Sequence, residues 1–221
     1  LPLVINTWSG PFVTATEAAW ARGRSHDAYS AALLGNSGTA TTLLDAVEAG
    51  CSACEAARCD GTVGYGGRPD SSGEVTLDAM IMDGAAMRIG AVGYLRRVKN
   101  AISVARAVME HTEHTMLAGE GATNFATATM GFAEHTLSTA DSDAAFVQWR
   151  AASCQPNYFR NFASADSSCP PYDAPTTAPG APALRDDSAR DEIGEGNHDT
   201  VGMVVVGSGG NIACGTSTNG A

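Results

Sequence analysis

Apolar and polar residues change their spacing several times along the chain, and each change marks an element. Leu3-Val4-Ile5-Asn6-Thr7-Trp8 reads as a first strand. Thr14-Ala15-Thr16-Glu17 has the form of a capping box and predicts a helix through Trp20. Residues 23–42, rich in Gly, Ser, Thr and Ala, show no clear period. A second helix is expected over Leu43 to Ala57, with Ala46, Val47, Gly50, Cys51 and Cys54 on one face. Val75 to Met82 alternates as a strand, and Ala86 to Val92 can pair with it. Asn100 to His111 predicts a helix whose Val104, Ala105, Val108 and Met109 face inward. Met116-Leu117-Ala118 reads as a short strand before a helix through Met130, and Asp141 to Arg150 as a further helix.

The pattern breaks over residues 163–197. Five prolines fall between Pro170 and Pro182, and Asp186, Asp187, Asp191, Glu192 and Glu195 follow. Such a segment buries too little apolar surface to offset its ordering entropy, so a mobile loop open to proteases is expected. Alternation returns at Thr200. Two strands, Thr200–Gly207 and Asn211–Thr218, flank Ser208-Gly209-Gly210, a loop length common in hairpins. That loop pairs Gly207 with Asn211, so counting outward sets Thr200 opposite Thr218 on the same face.

Two threonines at the open end of a hairpin matter because of what precedes the first. His198-Asp199-Thr200 leads straight into Val201-Gly202-Met203-Val204-Val205-Val206. A threonine hydroxyl is a poor nucleophile without an adjacent base. An N-terminal threonine carries its own, because its free α-amino group titrates near roughly 7.7–8.0. Attack of Thr200 Oγ on the Asp199 carbonyl would turn the peptide into an ester, and water would then release the upstream chain. Strain at the junction would favour that step. Asp199 is a candidate base or polariser and His198 a candidate for orienting the turn. By itself, however, Asp-Thr entering a buried strand is an ordinary loop end, Thr218 an ordinary sheet hydroxyl and Trp8 an ordinary core residue.

Composition narrows the classes. A length of 221 residues with 44% apolar content supports a sizeable core. The net charge of −11 argues against nucleic acid or anionic membrane as a partner. No apolar run approaches a membrane span, and no signal peptide opens the chain, so any leader is expected to lie outside it. Gly61-Thr62-Val63-Gly64-Tyr65-Gly66-Gly67 lacks the Lys-Ser/Thr of a phosphate loop. Cys51-x-x-Cys54 has no second such pair and no zinc-spaced histidines beside it, which disfavours a metal. Cys154 and Cys169 bracket a polar loop suited to a disulfide, and Cys54 and Cys59 could close a short one. Cys51 and Cys214 sit in apolar surroundings and read as buried thiols. Disulfides would place the chain on the secretory or lysosomal route.

Taken together these stretches carry more than any one of them. Leu3–Trp8, Leu44-Asp45-Ala46-Val47-Glu48-Ala49-Gly50, Gly61–Gly67, Thr76-Leu77-Asp78-Ala79-Met80-Ile81-Met82-Asp83, Lys99–Arg106, His198–Met203 and Gly215-Thr216-Ser217-Thr218-Asn219-Gly220 resemble the glycosylasparaginases (aspartylglucosaminidases), members of the N-terminal nucleophile hydrolases. They occur in family order and cover most of the chain. The resemblance implies an α+β fold, the four-layer αββα sandwich, incomplete in this chain. It implies one domain, with an α-subunit region to residue 199 and the start of a β-subunit region at 200–221. Thr200 would be the nucleophile in self-cleavage and in catalysis, with Thr218 hydrogen-bonding near it and Trp8 lining the pocket. The substrate would be asparagine bearing N-acetylglucosamine on its side-chain amide, released as aspartate and an amino-sugar, with no cofactor. The assembly would be an αβ heterodimer or a pair of them, and the eukaryotic compartment the lysosome. Cys54–Cys59 and Cys154–Cys169 match disulfide positions of animal members.

The chain departs from the family in three ways. The family continues well past Gly-Thr-Ser-Thr-Asn-Gly, and that portion carries the arginine and aspartate that grip the substrate and the threonine and glycine of the oxyanion hole. Losing one oxyanion donor costs about 10²–10³ in rate, so these residues alone are expected to be inactive. Residues 23–42 exceed the family's short turn. No Asn-x-Ser/Thr sequon occurs. Two other readings compete: a plant-type asparaginase or isoaspartyl peptidase, sharing fold and nucleophile, and a non-catalytic fragment whose exposed sheet edges would aggregate.

Overall fold

A computed structural model describes residues 3–33, 40–157, 159, 162, 167–173 and 200–220, with side chains left out of the description at 25–33 and 40–42. Six strands form one sheet: β1 (Leu3–Asn6), β2 (Leu77–Asp83), β3 (Arg88–Leu95), β4 (Met116–Ala118), β5 (Val201–Val206) and β6 (Ile212–Thr218). Their order across the sheet is β1-β5-β6-β2-β3-β4. Neighbours are antiparallel except β3 and β4, which run parallel. Among the described residues five α-helices accompany them: α1 (Val13–Leu33), α2 (Ala40–Ala57), α3 (Ala101–His111), α4 (Gly119–Asn124) and α5 (Ala140–Ala151). This is the mixed α+β arrangement expected.

One face of the sheet is sealed by α2 and α3. The alternation of β2 turns Leu77, Ala79 and Ile81 inward, and β5 adds Val201, Met203 and Val205. The apolar stripe of α2 (Ala46, Val47, Gly50, Cys51, Cys54) is buried as its spacing predicts. So is that of α3, including Ile102, Val104, Ala105 and Val108. Helix α2 lies so close to β6 that a Cβ on Gly215 would sit 2.6 Å from Val47 Cγ1. Only glycine permits that approach. Each fully buried Leu or Ile here contributes about 1.5–3 kcal/mol.

Among the described residues no helix covers the opposite face. One row of directly paired residues, Ile5–Val204–Cys214–Met82–Ile89, crosses five strands. Leu3 and Ile5 are each 52% exposed, Ile212 47% and Met116 55%. Cys214 lies on this side, half-buried, and is not the interior thiol that its neighbours suggested; Cys51 is fully buried.

Helix α1 corrects two expectations. It begins at Val13, running on from a 3₁₀ turn at Gly10–Phe12, so Thr14 lies inside it and caps nothing. It also continues beyond Trp20 to Leu33, and α2 starts at Ala40, so part of residues 23–42 is helical. Ala-rich sequence favours helix without producing an amphipathic stripe, which hid it. Ala15 and Ala19 are buried against the helix layer, and a Cβ on Gly23 would meet Ala46. A capping box does occur further on, where Thr139 and Ser142 exchange bonds at the start of α5. The disulfides Cys54–Cys59 and Cys154–Cys169 are both formed. Most of the acidic, proline-rich stretch, with His198 and Asp199, lies outside the described residues, as does the boundary it would set. No helix among the described residues is long and apolar enough to cross a membrane.

Candidate active site at the open end of the hairpin

The register of β5 and β6 is the one counted from the loop. Gly207 N donates to Asn211 O at 2.8 Å, and Val206↔Ile212 through Val201↔Ser217 follow without a slip. The ladder ends at Val201↔Ser217, with Thr200 immediately before it, and Thr218, the next residue of β6, is paired with Asp78 on β2. Two oxygen-bearing side chains, Thr218 and Asp78, thus share the last row of the open face, at the end of the sheet where Thr200 enters β5. Asp78 was not singled out in the sequence; its Oδ1 accepts the Tyr94 N–H at 2.7 Å and pins the irregular junction between the start of β2 and the end of β3.

Thr200 has φ +69°. This left-handed conformation is rare for a β-branched residue and carries a cost on the order of 1–3 kcal/mol. Two contacts from the end of β1 hold the residue there. The Trp8 indole N–H donates to the Thr200 carbonyl at 2.8 Å. Beside it, Gly202 N donates to Thr7 Oγ1 and Thr7 N to Gly202 O, both at 3.0 Å. Trp8 therefore grips the backbone of the candidate nucleophile. Nothing in the local sequence signalled this bond, because the partners are 192 residues apart.

The end of β6 is held by the glycine-rich loop. Asn219 donates from its backbone to Thr62 O at 3.0 Å and from Nδ2 to Gly61 O at 2.8 Å. Thr218 Oγ1 lies 3.5 Å from Thr62 O and accepts from Gly220 N at 3.2 Å. The glycines let that loop run against the end of α2. Gly64, at φ +80°, would place a Cβ 2.2 Å from the Glu55 carbonyl oxygen. Lys99 sits 3.9 Å from the Tyr65 ring centroid and braces the loop from outside. Its glycines thus serve a close backbone crossing, in place of the phosphate cradle already disfavoured.

Beneath this end lies Glu55, on the buried face of α2. Its Oε1 accepts from Ser217 Oγ at 2.6 Å and from Ile102 N, in the first turn of α3, at 3.0 Å. Burial pushes its carboxyl up to about 7, with the Glu48 charge adding, while the bonds from Ser217 and Ile102 oppose the rise. The same burial, with the charges of Glu55 and Glu48, pushes the neighbouring Cys51 thiol far up, leaving it inert as a nucleophile. A carboxyl raised in the fold favours its protonated form there. Its contribution to stability is therefore full below about 4.5 and lost as pH rises through about 7. The full-length protein is expected to lose roughly 1–3 kcal/mol between those limits, and Glu55→Gln to flatten the slope. Calorimetry across that range reads both.

A cavity of about 780 Å³ opens beside Asn219 and Gly220, walled by Phe146, Trp149 and Phe159, with Arg68 and Asp70 at its polar edge. It suits a ligand with an apolar face and hydrogen-bonding groups around it. No cluster of His, Cys, Asp or Glu among the described residues could hold a metal.

Comparison with known proteins supplies the class. The chain belongs to the asparaginase family, whose profile matches residues 19–221. It is 51% identical over 221 residues to the N(4)-(beta-N-acetylglucosaminyl)-L-asparaginase of Rattus norvegicus, covering the whole chain and 58% of that relative. The mouse enzyme of the same name is 50% identical over 220 residues, again with 58% of it covered. A putative member of this group from Drosophila melanogaster is 48% identical over 224 residues, with 53% covered. The chain thus spans somewhat more than half the length of these relatives.

Proposed function

We propose that the full-length protein is an autoproteolytically activated amidohydrolase that cleaves the bond between N-acetylglucosamine and asparagine in glycoasparagines. The observation that carries the reading is Thr200 itself: a β-branched residue held at positive φ, bonded through its carbonyl to Trp8 and placed immediately before the Val201↔Ser217 pair. Strain stored beside the Asp199–Thr200 peptide raises its ground state and lowers the barrier to its rearrangement.

In self-cleavage, Thr200 Oγ attacks the Asp199 carbonyl carbon as its proton passes to a base, for which the Asp199 carboxylate is the nearest in sequence. The C–N bond breaks, the freed nitrogen takes a proton, and an ester joins Asp199 to Thr200 Oγ. Water hydrolyses the ester and leaves Thr200 with a free α-amino group. In turnover that amino group takes the hydroxyl proton while Oγ attacks the side-chain carbonyl of the substrate. The glycosylamine leaves with a proton, and water releases aspartate from the β-aspartyl ester. Thr218 steadies Oγ, and the aromatic-walled cavity receives substrate. The grip on the α-carboxylate and α-amino groups, and the oxyanion hole, come from the sequence that follows residue 221 in the relatives.

The same reading takes the fold as one half of a four-layer αββα sandwich, with a second sheet stacked on the Ile5–Ile89 row. It takes the assembly as an αβ heterodimer, alone or paired, working in the lysosome without a cofactor. The test uses the full-length protein. Mass spectrometry is expected to find a fragment beginning at Thr200, and the processed enzyme to release aspartate from N4-(N-acetylglucosaminyl)-asparagine. Preference for a β-aspartyl dipeptide would turn the assignment to an isoaspartyl peptidase. A folded, uncut and inactive protein overturns it.

A further inference from the structure

We propose that Glu55 is a positioning residue for the Thr200–Thr218 centre, holding the end of β6 from the helix side at two points so that Thr218 faces Thr200. The inference rests on the function proposed above. Its first point is Ser217, whose hydroxyl donates to Glu55 Oε1 at 2.6 Å. Ser217 is directly paired with Val201, the residue after the nucleophile, and precedes Thr218. The second point is indirect. The Glu55 backbone is where Gly64 crosses α2, and Arg58 N donates to its carbonyl at 3.3 Å. The loop seated there holds Asn219 through the Gly61 and Thr62 carbonyls.

Thr218 therefore lies between two residues fastened from below. Side chains alternate along a strand, so fixing Ser217 and Asn219 toward the helices fixes Thr218 toward the other face. The carboxyl is itself fixed, because Oε1 also accepts the Ile102 N–H at the N-terminus of α3. Glu55 is 3% exposed and Ser217 1%, so no water competes for this bond. One side chain thereby ties α2, α3 and β6 together directly under the site. Nothing in this arrangement brings Glu55 to the Thr218 hydroxyl, which alternation turns to the opposite face of the sheet.

The experiment uses the full-length protein carrying Glu55→Ala, Glu55→Gln, Ser217→Ala and Glu55→Ala/Ser217→Ala. Positioning predicts that Glu55→Ala and Ser217→Ala each lower kcat per processed site by about 10–100-fold with KM within roughly twofold, the scale of a misplacement near 1 Å. The double variant is expected to be no slower than the slower single, since both break one link. Glu55→Gln keeps the Oε1 acceptor and is expected to return kcat to within a few-fold of wild type. Hydrogen exchange of the 215–220 amides is expected to quicken in the two alanine variants and not in Glu55→Gln.

A fall in thermal stability with kcat per processed site unchanged overturns the proposal and leaves Glu55 a packing residue. Should Glu55→Ala fail to fold, Ser217→Ala and Glu55→Gln carry the same comparison. A wild-type protein that neither cuts itself nor hydrolyses glycoasparagine refutes the function instead. Exchange of the 215–220 amides then decides the anchoring of β6 independently, because it requires no activity.

Discussion

Full-length protein carrying Thr200→Ala is expected to remain one uncut chain and to lose hydrolysis altogether. The hydroxyl is the attacking group in both steps of the proposed reaction, and the free amine exists only after the first. Removing a nucleophile that acts in concert with its base costs on the order of 10⁶ in kcat. Here the loss is compounded because the base is never uncovered. Denaturing electrophoresis and intact mass read the cutting, and aspartate release reads the turnover. Thr200→Ser is the informative companion. It keeps the oxygen but lacks the γ-methyl that crowds a β-branched residue at φ +69°. Less strain is then stored beside the scissile peptide, so cutting is expected to proceed more slowly than in the wild type. Rapid cutting in the alanine variant would remove Thr200 from the mechanism.

The second large effect concerns the uncovered side of the sheet. Residues 1–221 produced alone are expected to associate through it. Leu3, Ile5, Ile89, Met116 and Ile212 expose an apolar band that a soluble monomer rarely leaves open. Ile5→Lys and Ile212→Lys together are expected to return these residues to a monomer, read by light scattering after size exclusion. In the full-length protein the same pair is expected to act in the opposite direction. A second sheet stacked on that band would enclose two unpaired ammonium groups, a cost of several kcal/mol that would lower the yield of folded, self-cut protein. If the full-length protein accepts both lysines without loss, no layer covers this face and the four-layer reading fails.

The hairpin that frames the candidate site was legible because hairpins obey short-range rules. Ser208-Gly209-Gly210 set the loop length and alternation set the faces, and together they placed the β5–β6 register that runs to Val201↔Ser217. The strand Met116–Ala118 and the inward stripe of α3 were legible for the same reason, since each depends only on local spacing. What escaped depends on contacts between distant segments. The bond from Trp8 to the Thr200 carbonyl spans nearly the whole chain, and no periodicity encodes it. Helix α1 runs past Trp20 because its later turns mix charged, polar and small residues that form a helix without an apolar stripe to mark it. Glu55 did leave a trace, as an acidic residue next to Cys54 on the apolar face of α2. Such a position implies a buried partner, but the identity of Ser217 emerges only once β6 lies beneath the helix.

Strand order has a consequence for what a cut at Thr200 would do. Strands β5 and β6 follow the junction in sequence, yet β1 lies on one side of them and β2 on the other. A severed backbone would therefore leave the downstream piece threaded through the middle of the upstream one, with hydrogen-bonded ladders along both borders. The two products could not drift apart without dismantling the sheet. Breaking the bond would release an amino terminus while the particle kept its size, so native mass would report nothing and only denaturant would reveal two chains.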